Sequence, residues 1–357
     1  MSATPPGAAI DVERRAALNG AKLAALVAGR WGPADHRAPG AIGATATLVD
    51  RAAGAGWVLP DGDVARSLGP ALVWADRHGV ADLHLLAEAR DGSAGVLARQ
   101  AAMFVPPAPT VWAVEGTALV PAVPAPPPSS APAPAPPGLV DLLIDAGLEV
   151  VVEGGMVRGE VNGLEVARIV LGDSTAGVPM DEPRLEVGVG RADRELTAMV
   201  HGDLPPTAQL GRVVEIVRRH RMPGAPRHPL NQLVPERWLR AVLCRAPDLV
   251  GLTTLRPVEG ARARSNLAER DIAVAAGEAA GGAPVIVACS VGIAPDLVPV
   301  AADARAAIDG AAGRQPASRL VLALPARDDH QSTRRLAARL QTPAEVVPVH
   351  GDWRAAA

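Results

Sequence analysis

The sequence predicts an α/β protein of two α/β modules joined by a Pro/Ala-rich linker, and three observations carry that expectation. Short β-patterned runs alternate with apolar-striped helical runs from Arg14 to Val114, and again from Leu139 onward. Between them, Pro121–Pro137 is almost wholly Pro, Ala and Ser, a composition short of backbone donors that stays extended. Near the end, Pro284–Val349 reads strand, helix, strand, helix, strand, the pattern of a parallel βαβαβ segment covered on both faces. The expected modules are 8–120, a linker over 121–138, and 139–357. The last divides into a β-meander region (139–255) and the βαβαβ segment (283–350).

Composition bounds the function. With 357 residues, 48% of them hydrophobic, each module is able to bury a core. Aromatic content is 2%, Tyr is absent, Phe104 is the single Phe and Lys22 the single Lys. Arginine replaces lysine throughout, so its abundance is not by itself a nucleic-acid signal. The net charge of −3 gives no global attraction for a polyanion. A phosphate-cradling loop that ends in Lys-Ser/Thr is excluded, because Lys22 precedes Leu23 inside an Ala/Leu helix. Cys244 and Cys289 are too few for a disulfide framework or a Cys-rich zinc site, which suits a reducing compartment. No apolar run reaches membrane-spanning length and the N-terminus lacks signal-peptide character, so the expectation is a cytoplasmic protein with no membrane partner.

Taken in order, the elements are these. Met1–Gly7 is an expected frayed tail and Arg14–Gly29 a helix with Leu18, Ala21 and Ala25 and neighbouring Leu23 and Leu26 forming an apolar stripe. Ala44–Asp50 and Gly56–Pro60 flank a glycine-rich turn as a hairpin, and a helix follows from Asp63 to His78. Asp82–Ala87, Ala94–Phe104 and Thr110–Val114 complete the first module as strand, helix and strand. The second opens with helix Leu139–Ala146, then strands Leu148–Val152, Met156–Val161 and Leu164–Leu171. The last two are joined by Asn162-Gly163, among the strongest hairpin signals. After Gly172–Arg184, read as a polar loop, come strand Leu185–Val189 and helices Ala192–Met199, Ala208–His220 and Pro235–Leu243. Arg256–Gly282 is weakly patterned and reads as a surface excursion. Strands Pro284–Ser290, Leu320–Leu324 and Ala344–Val349 alternate with helices Asp296–Ile308 and Ser332–Leu340. An internal echo links Asp82–Val114 to Arg319–Val349. Each reads strand, Ala-Arg-Asp (Ala89-Arg90-Asp91 and Ala326-Arg327-Asp328), helix, strand, as duplicated α/β modules do.

The stretch Gly159–Glu195 holds the candidate site. Strict alternation places Glu165 with Ala167, Ile169 and Leu171 on one face, and Glu186 with Gly188 and Gly190 on a face with open space beside it. An unpaired carboxylate on such a face is costly unless protonated, paired or bound to metal. If the strands are neighbours, Glu165 and Glu186 share one divalent cation through hard oxygen ligands. The alternative is that each pairs with nearby arginines.

Helix, hairpin, a strand with one carboxylate, then a strand with a second and a following helix resembles the core of the PD-(D/E)xK nuclease-like superfamily, over roughly Leu139 to His220. The resemblance implies Glu165 and Glu186 as catalytic, metal-binding residues, a Mg or Mn cofactor and a metal-bound water that attacks a phosphodiester. The family pattern wants Lys two residues after the second acid, and this chain has Gly188 there. Beyond these strands, arginines cluster between Arg212 and Arg245, with His220 and His228 interspersed; Arg218, Arg219 and Arg221 are the expected nucleic-acid backbone contacts. The same cluster also reads as a solvated helix face. The leading expectation is thus a degenerate nuclease-like protein that binds or cleaves nucleic acid, with a non-catalytic interaction protein as the alternative.

A third constellation belongs to a different class. Ala288-Cys289-Ser290-Val291-Gly292 approximates the nucleophile elbow of serine hydrolases, followed in order by Asp328 and His350. In the first module, Asp50, Glu88 and Arg90 read as rim charges, and His84, between Leu83 and Leu85, as a sheet residue.

Overall fold

Helix α1 (Pro6–Trp31) buries Leu23, Leu26 and Val27 and ends on Trp31, which packs edge-on against Trp57 and Trp112. The computed structural model describes residues 6–88, 92–127, 135–171, 182–201, 204–260, 267, 269 and 271–356. The architecture is mixed α/β. Contacts divide the chain into two compact units: one runs to Pro127 and adds Val298–Asp303 and Gln331–Pro343, and the other holds the remainder.

In the first unit, β1 (Ala38–Ile42), β2 (Thr45–Asp50), β3 (Ala55–Leu59), β4 (Asp82–Glu88), β5 (Thr110–Glu115) and β6 (Ala118–Pro121) form one sheet in chain order. β3, β4 and β5 are parallel, joined through α2 (Leu68–His78) and α3 (Ser93–Ala101); the other pairings are antiparallel. The edge strands β1 and β6 carry no apolar alternation because they are exposed, which is why sequence pattern missed them. Two distant segments close this unit. Arg99 donates to both oxygens of Asp303 (2.7 and 2.9 Å), Arg339 donates to Asp76 (3.0 Å), and buried Phe104 bridges to Leu340.

The second unit opens with α4 (Pro137–Asp145) and an antiparallel sheet of β7 (Glu149–Glu153), β8 (Met156–Val161), β9 (Leu164–Leu171) and β10 (Pro183–Val187). Helices α5 (Gly190–His201), α6 (Pro206–His220) and α7 (Pro235–Arg245) follow. A second sheet has the order β11 (Thr254–Pro257), β12 (Ala273–Glu278), β13 (Pro284–Cys289), β14 (Arg319–Pro325), β15 (Ala344–Val349); α8 (Leu297–Ala311) and α9 (Gln331–Ala338) connect its parallel strands in the chain, though Val298–Asp303 of α8 and all of α9 are counted with the first unit. The expected surface excursion over Arg256–Gly282 is corrected here. Its ends are β11 and β12, and β12 escaped notice because its Ala-rich AVAAGE lacks the β-branched side chains that mark a strand.

The strand order exposes a repeat larger than the echo in the sequence. The order α1–β1–β2–β3–α2–β4–α3–β5 recurs as α7–β11–β12–β13–α8–β14–α9–β15, with antiparallel, antiparallel, parallel and parallel pairings in both. The β7–β10 meander with α4, α5 and α6 lies between the two copies in sequence. The Ala89-Arg90-Asp91 triplet, residues 128–134 of the linker and 172–181 of the polar loop fall outside the described residues.

The meander sheet is apolar on one side only. Leu164, Val166, Ala167, Ile169 and Val187 pack under Leu143 of α4 and Leu210, Val214 and Val217 of α6. At one end of this sheet the Asn162-Gly163 turn meets helix α7. Gly163 has φ +75°, and a Cβ there would lie 2.3 Å from the Arg237 carbonyl carbon and 2.6 Å from the Trp238 nitrogen. Gly163→Ala is therefore expected to lower stability by about 2–3 kcal/mol, from backbone strain plus overpacking. The check is the urea midpoint, which falls at unchanged slope; an unmoved midpoint would contradict this close approach.

Candidate functional site

Whether Glu165 and Glu186 share a face depends on one residue. The β8–β9 register runs Arg158↔Arg168 and Gly159↔Ala167, then slips to Glu160↔Glu165, which leaves Val166 without a partner. This is a β-bulge. Directly paired residues share a face, and so do Arg158 and Glu160 by alternation along β8, so Glu165 joins Arg168 there despite their odd spacing. Glu186 pairs with Arg168 across to β10 and lands on the same side. The strict alternation that put Glu165 with Ala167 and Ile169 is corrected: those two are core, whereas Glu165 faces away from it.

That second face is a ladder of charge. Arg245 pairs with Glu149 at one end, and Arg237 pairs with Glu153. Glu160, fully buried, accepts from Arg237 (3.2 Å) and Arg240 (2.7 Å) of α7. Glu165 accepts from Arg158 (2.7 Å) and Arg194 (3.0 Å). Glu186 accepts from Arg168 (2.9 and 2.7 Å) and Arg184 (3.1 Å), with Arg194 at 3.6 Å. Burial pushes the Glu160 carboxyl up, but Arg240 and Arg237 outweigh it and hold the group below the ordinary carboxylate range. Burial lowers the Arg194 pKa, as does Arg168 beside it, against the pull of Glu165 and Glu186.

Glu165 and Glu186 therefore meet at a guanidinium, Arg194. The open space expected beside Glu186 is filled by the first turn of α5. Gly188 has φ +138°, and a Cβ there would lie 2.8 Å from the Arg194 nitrogen. This glycine lets α5 turn close under β10 and deliver Arg194 to both acids. A divalent cation does not fit this donor set. All four carboxylate oxygens accept from arginine, and a further dication would face Arg158, Arg168, Arg184 and Arg194. Among the described residues no group of three or more His, Cys, Asp or Glu side chains is placed to hold a metal ion.

The three candidate backbone contacts do come together. Arg218, Arg219 and Arg221 line one cavity of about 760 Å³ with Arg245, Asn162, Glu149, Glu160 and Glu215. Their environments differ sharply. Arg219 is exposed and pairs with Glu215 one turn away (3.1 Å). Arg218 donates to the Ala146 and Gly147 carbonyls at the end of α4 (3.0 and 2.9 Å). Arg221 is 0% exposed. It donates to the carbonyls of Asn162 (3.1 and 2.7 Å), Leu230 (2.9 Å) and Leu233 (2.8 Å) and stacks 4.7 Å from the Trp238 ring centroid. Its role as a backbone contact is thus corrected, because the side chain is fully buried and four of its five N–H donors go to those carbonyls. Burial pushes its pKa down to about 9, so it is still a cation at neutral pH. Asn162 returns a side-chain bond to the Arg221 carbonyl and accepts from Arg245 (2.7 Å). Arg245 is the cavity arginine that the sequence ran together with its neighbours; its signal was the Asn-Gly turn it grips.

Ser290 is buried at the end of β13, and His350 follows β15. β14 lies between those strands, which sets their ends roughly 10 Å apart at the usual strand spacing. Asp328 accepts from the Gly292 backbone N–H (2.7 Å). Burial pushes the Cys244 thiol up to about 11 and Cys289 higher still, so neither is a thiolate at neutral pH. In the first unit Asp50 accepts from the Ala53 N–H (3.0 Å) and pairs with His36, and Glu88 pairs with Lys22; Arg90 lies outside the described residues. Burial lowers the His84 pKa against the pull of Asp82, and Trp112 Nε1 donates to its Nδ1 (3.3 Å). No helix among the described residues is long and apolar enough to cross a membrane. No known protein family, curated protein or solved structure matches the chain.

Proposed function

We propose that this protein binds a phosphate-bearing chain of the nucleic-acid kind at the arginine-lined cavity of its second unit, without cutting it. The observation that carries the reading is the convergence of Arg218, Arg219 and Arg245 on one opening of about 760 Å³, over the fixed Arg221. Arg218 adds the charge the cavity needs: its bonds go to carbonyls, and no carboxylate pairs with it among the described residues. A phosphate oxygen is the stronger acceptor for its remaining donors. The case against cleavage is the neutralised pair Glu165 and Glu186, whose oxygens serve arginines.

Fluorescence anisotropy of a labelled oligonucleotide tests this. Affinity is expected to fall roughly 40-fold between about 50 and about 200 mM salt if three phosphates are neutralised. Arg219→Glu should weaken binding about tenfold or more while the urea midpoint holds, since its exposed pair with Glu215 contributes only ~0.5 kcal/mol to stability; Arg218→Gln, which removes the charge and keeps a donor for the Ala146 and Gly147 carbonyls, should also weaken binding. Added Mg or Mn should leave the oligonucleotide intact. Salt-independent binding, or none, would leave the non-catalytic interaction protein as the better reading. Metal-dependent cleavage lost in Glu186→Ala would restore the nuclease.

A further inference from the structure

Helices α5 and α6 stand apart and leave a second cavity of about 750 Å³ between them. Its walls are matching helical stripes: Leu196 and Val200 on α5, Val213 and Ile216 on α6. Leu230 and Leu233 form the floor. Leu196, Val200 and Ile216 are each more than half exposed. Branched apolar side chains gathered around one opening, on helices with ample polar surface elsewhere, mark a binding surface rather than scattered exposure.

The rim names the head group. Arg212 lines the cavity, and neither a hydrogen bond nor an ion pair engages its side chain among the described residues. The other charged groups of the lining are engaged: Arg219 pairs with Glu215, and Asp193 accepts from the Val189 N–H (2.7 Å). An apolar slot with one uncommitted guanidinium at its mouth complements a molecule with an apolar body and one negative charge. The volume lies in the small-ligand range of about 300–1,000 Å³. The apolar walls on α5 and α6 each cover about one helical turn, and Val189, Leu230 and Leu233 carry the apolar lining beyond them. A docked partner helix sets anchors over two turns, so a small ligand suits the slot better.

We propose that this cleft binds a single-chain amphiphile with an anionic head, the chain between α5 and α6 and the head on Arg212. The site lies on the other side of α6's Glu215–Arg219 pair from the arginine-lined cavity and does not depend on nucleic-acid binding there. The step is reversible association, with no covalent change.

Isothermal titration calorimetry of the full chain with decanoate, and with uncharged 1-decanol, tests it. Decanoate should bind at one site per chain. Ile216→Asp, at an exposed wall, should abolish binding of both molecules. Arg212→Glu should weaken decanoate about tenfold or more, the size of one charge-assisted hydrogen bond at a half-open rim, and leave decanol unchanged. Circular dichroism and the urea midpoint of each variant confirm the fold. The proposal is overturned if decanoate does not bind, if Ile216→Asp binds it as the parent does, or if Arg212→Glu affects decanol as much as decanoate. Capture of an amphipathic peptide in place of decanoate would likewise overturn it.

Discussion

Glu160→Ala should unfold the second unit at moderate urea, with a loss of about 3–5 kcal/mol. Glu160 is fully buried, between Arg237 and Arg240, which are themselves almost wholly buried. Removal of the carboxylate leaves two guanidinium groups facing each other away from water, with Glu153 as the neighbouring acid for Arg237. The ion triad need not be more stabilising than an apolar replacement of the whole set; it is the removal of one partner that is so costly. Acid should have a related effect. Because the Glu160 pKa is lower folded than its ordinary value of 4.5, its contribution is complete above that pH. The contribution drains away as pH falls from there through the lower folded value. Urea midpoints across this acid range are the measurement. Glu160→Gln should flatten this part of the dependence, and a profile identical to the parent's would refute the assignment.

Arg221→Ala is expected to cost about as much, roughly 3–5 kcal/mol, for a different reason. Arg221 has no carboxylate in hydrogen-bonding contact; its guanidinium satisfies the carbonyls of Asn162, Leu230 and Leu233 at once. Truncation leaves these acceptors dry and a hole against Trp238. Arg221→Lys should rescue little, since one ammonium lacks the planar fork that reaches three separate carbonyls. The contrast with Arg219 is decisive. Arg219→Glu should change ligand affinity and not the midpoint, whereas Arg221→Lys should move the midpoint. Loss of oligonucleotide binding in Arg221→Lys with an unmoved midpoint would return Arg221 to the ligand surface.

Much of the fold is legible in the residues. β8, β9 and β15 begin and end where alternation and the Asn162-Gly163 turn place them, and α6 ends at His220 as its apolar stripe does. What escaped notice has a common cause. β1 and β6 are exposed edges, and β12 is built of alanine, so none shows the contrast between apolar and polar positions on which pattern reading depends. The candidate acids were found because a carboxylate among apolar neighbours stands out in any strand, but Arg194, the partner they share, comes from α5, and no spacing rule shows that it meets both.

By itself, then, the sequence determined the local elements, the break after the first module and the unusual carboxylates, because those depend on neighbours within a few residues. The tertiary structure decided which side of the sheet each charge takes. One unpaired residue, Val166, resets the alternation and turns Glu165 toward the arginines. Side-chain direction in a strand has period two, so a single bulge inverts everything beyond it. Bulges form where strand registers must be reconciled across a sheet, a requirement that exists only once the strands have met.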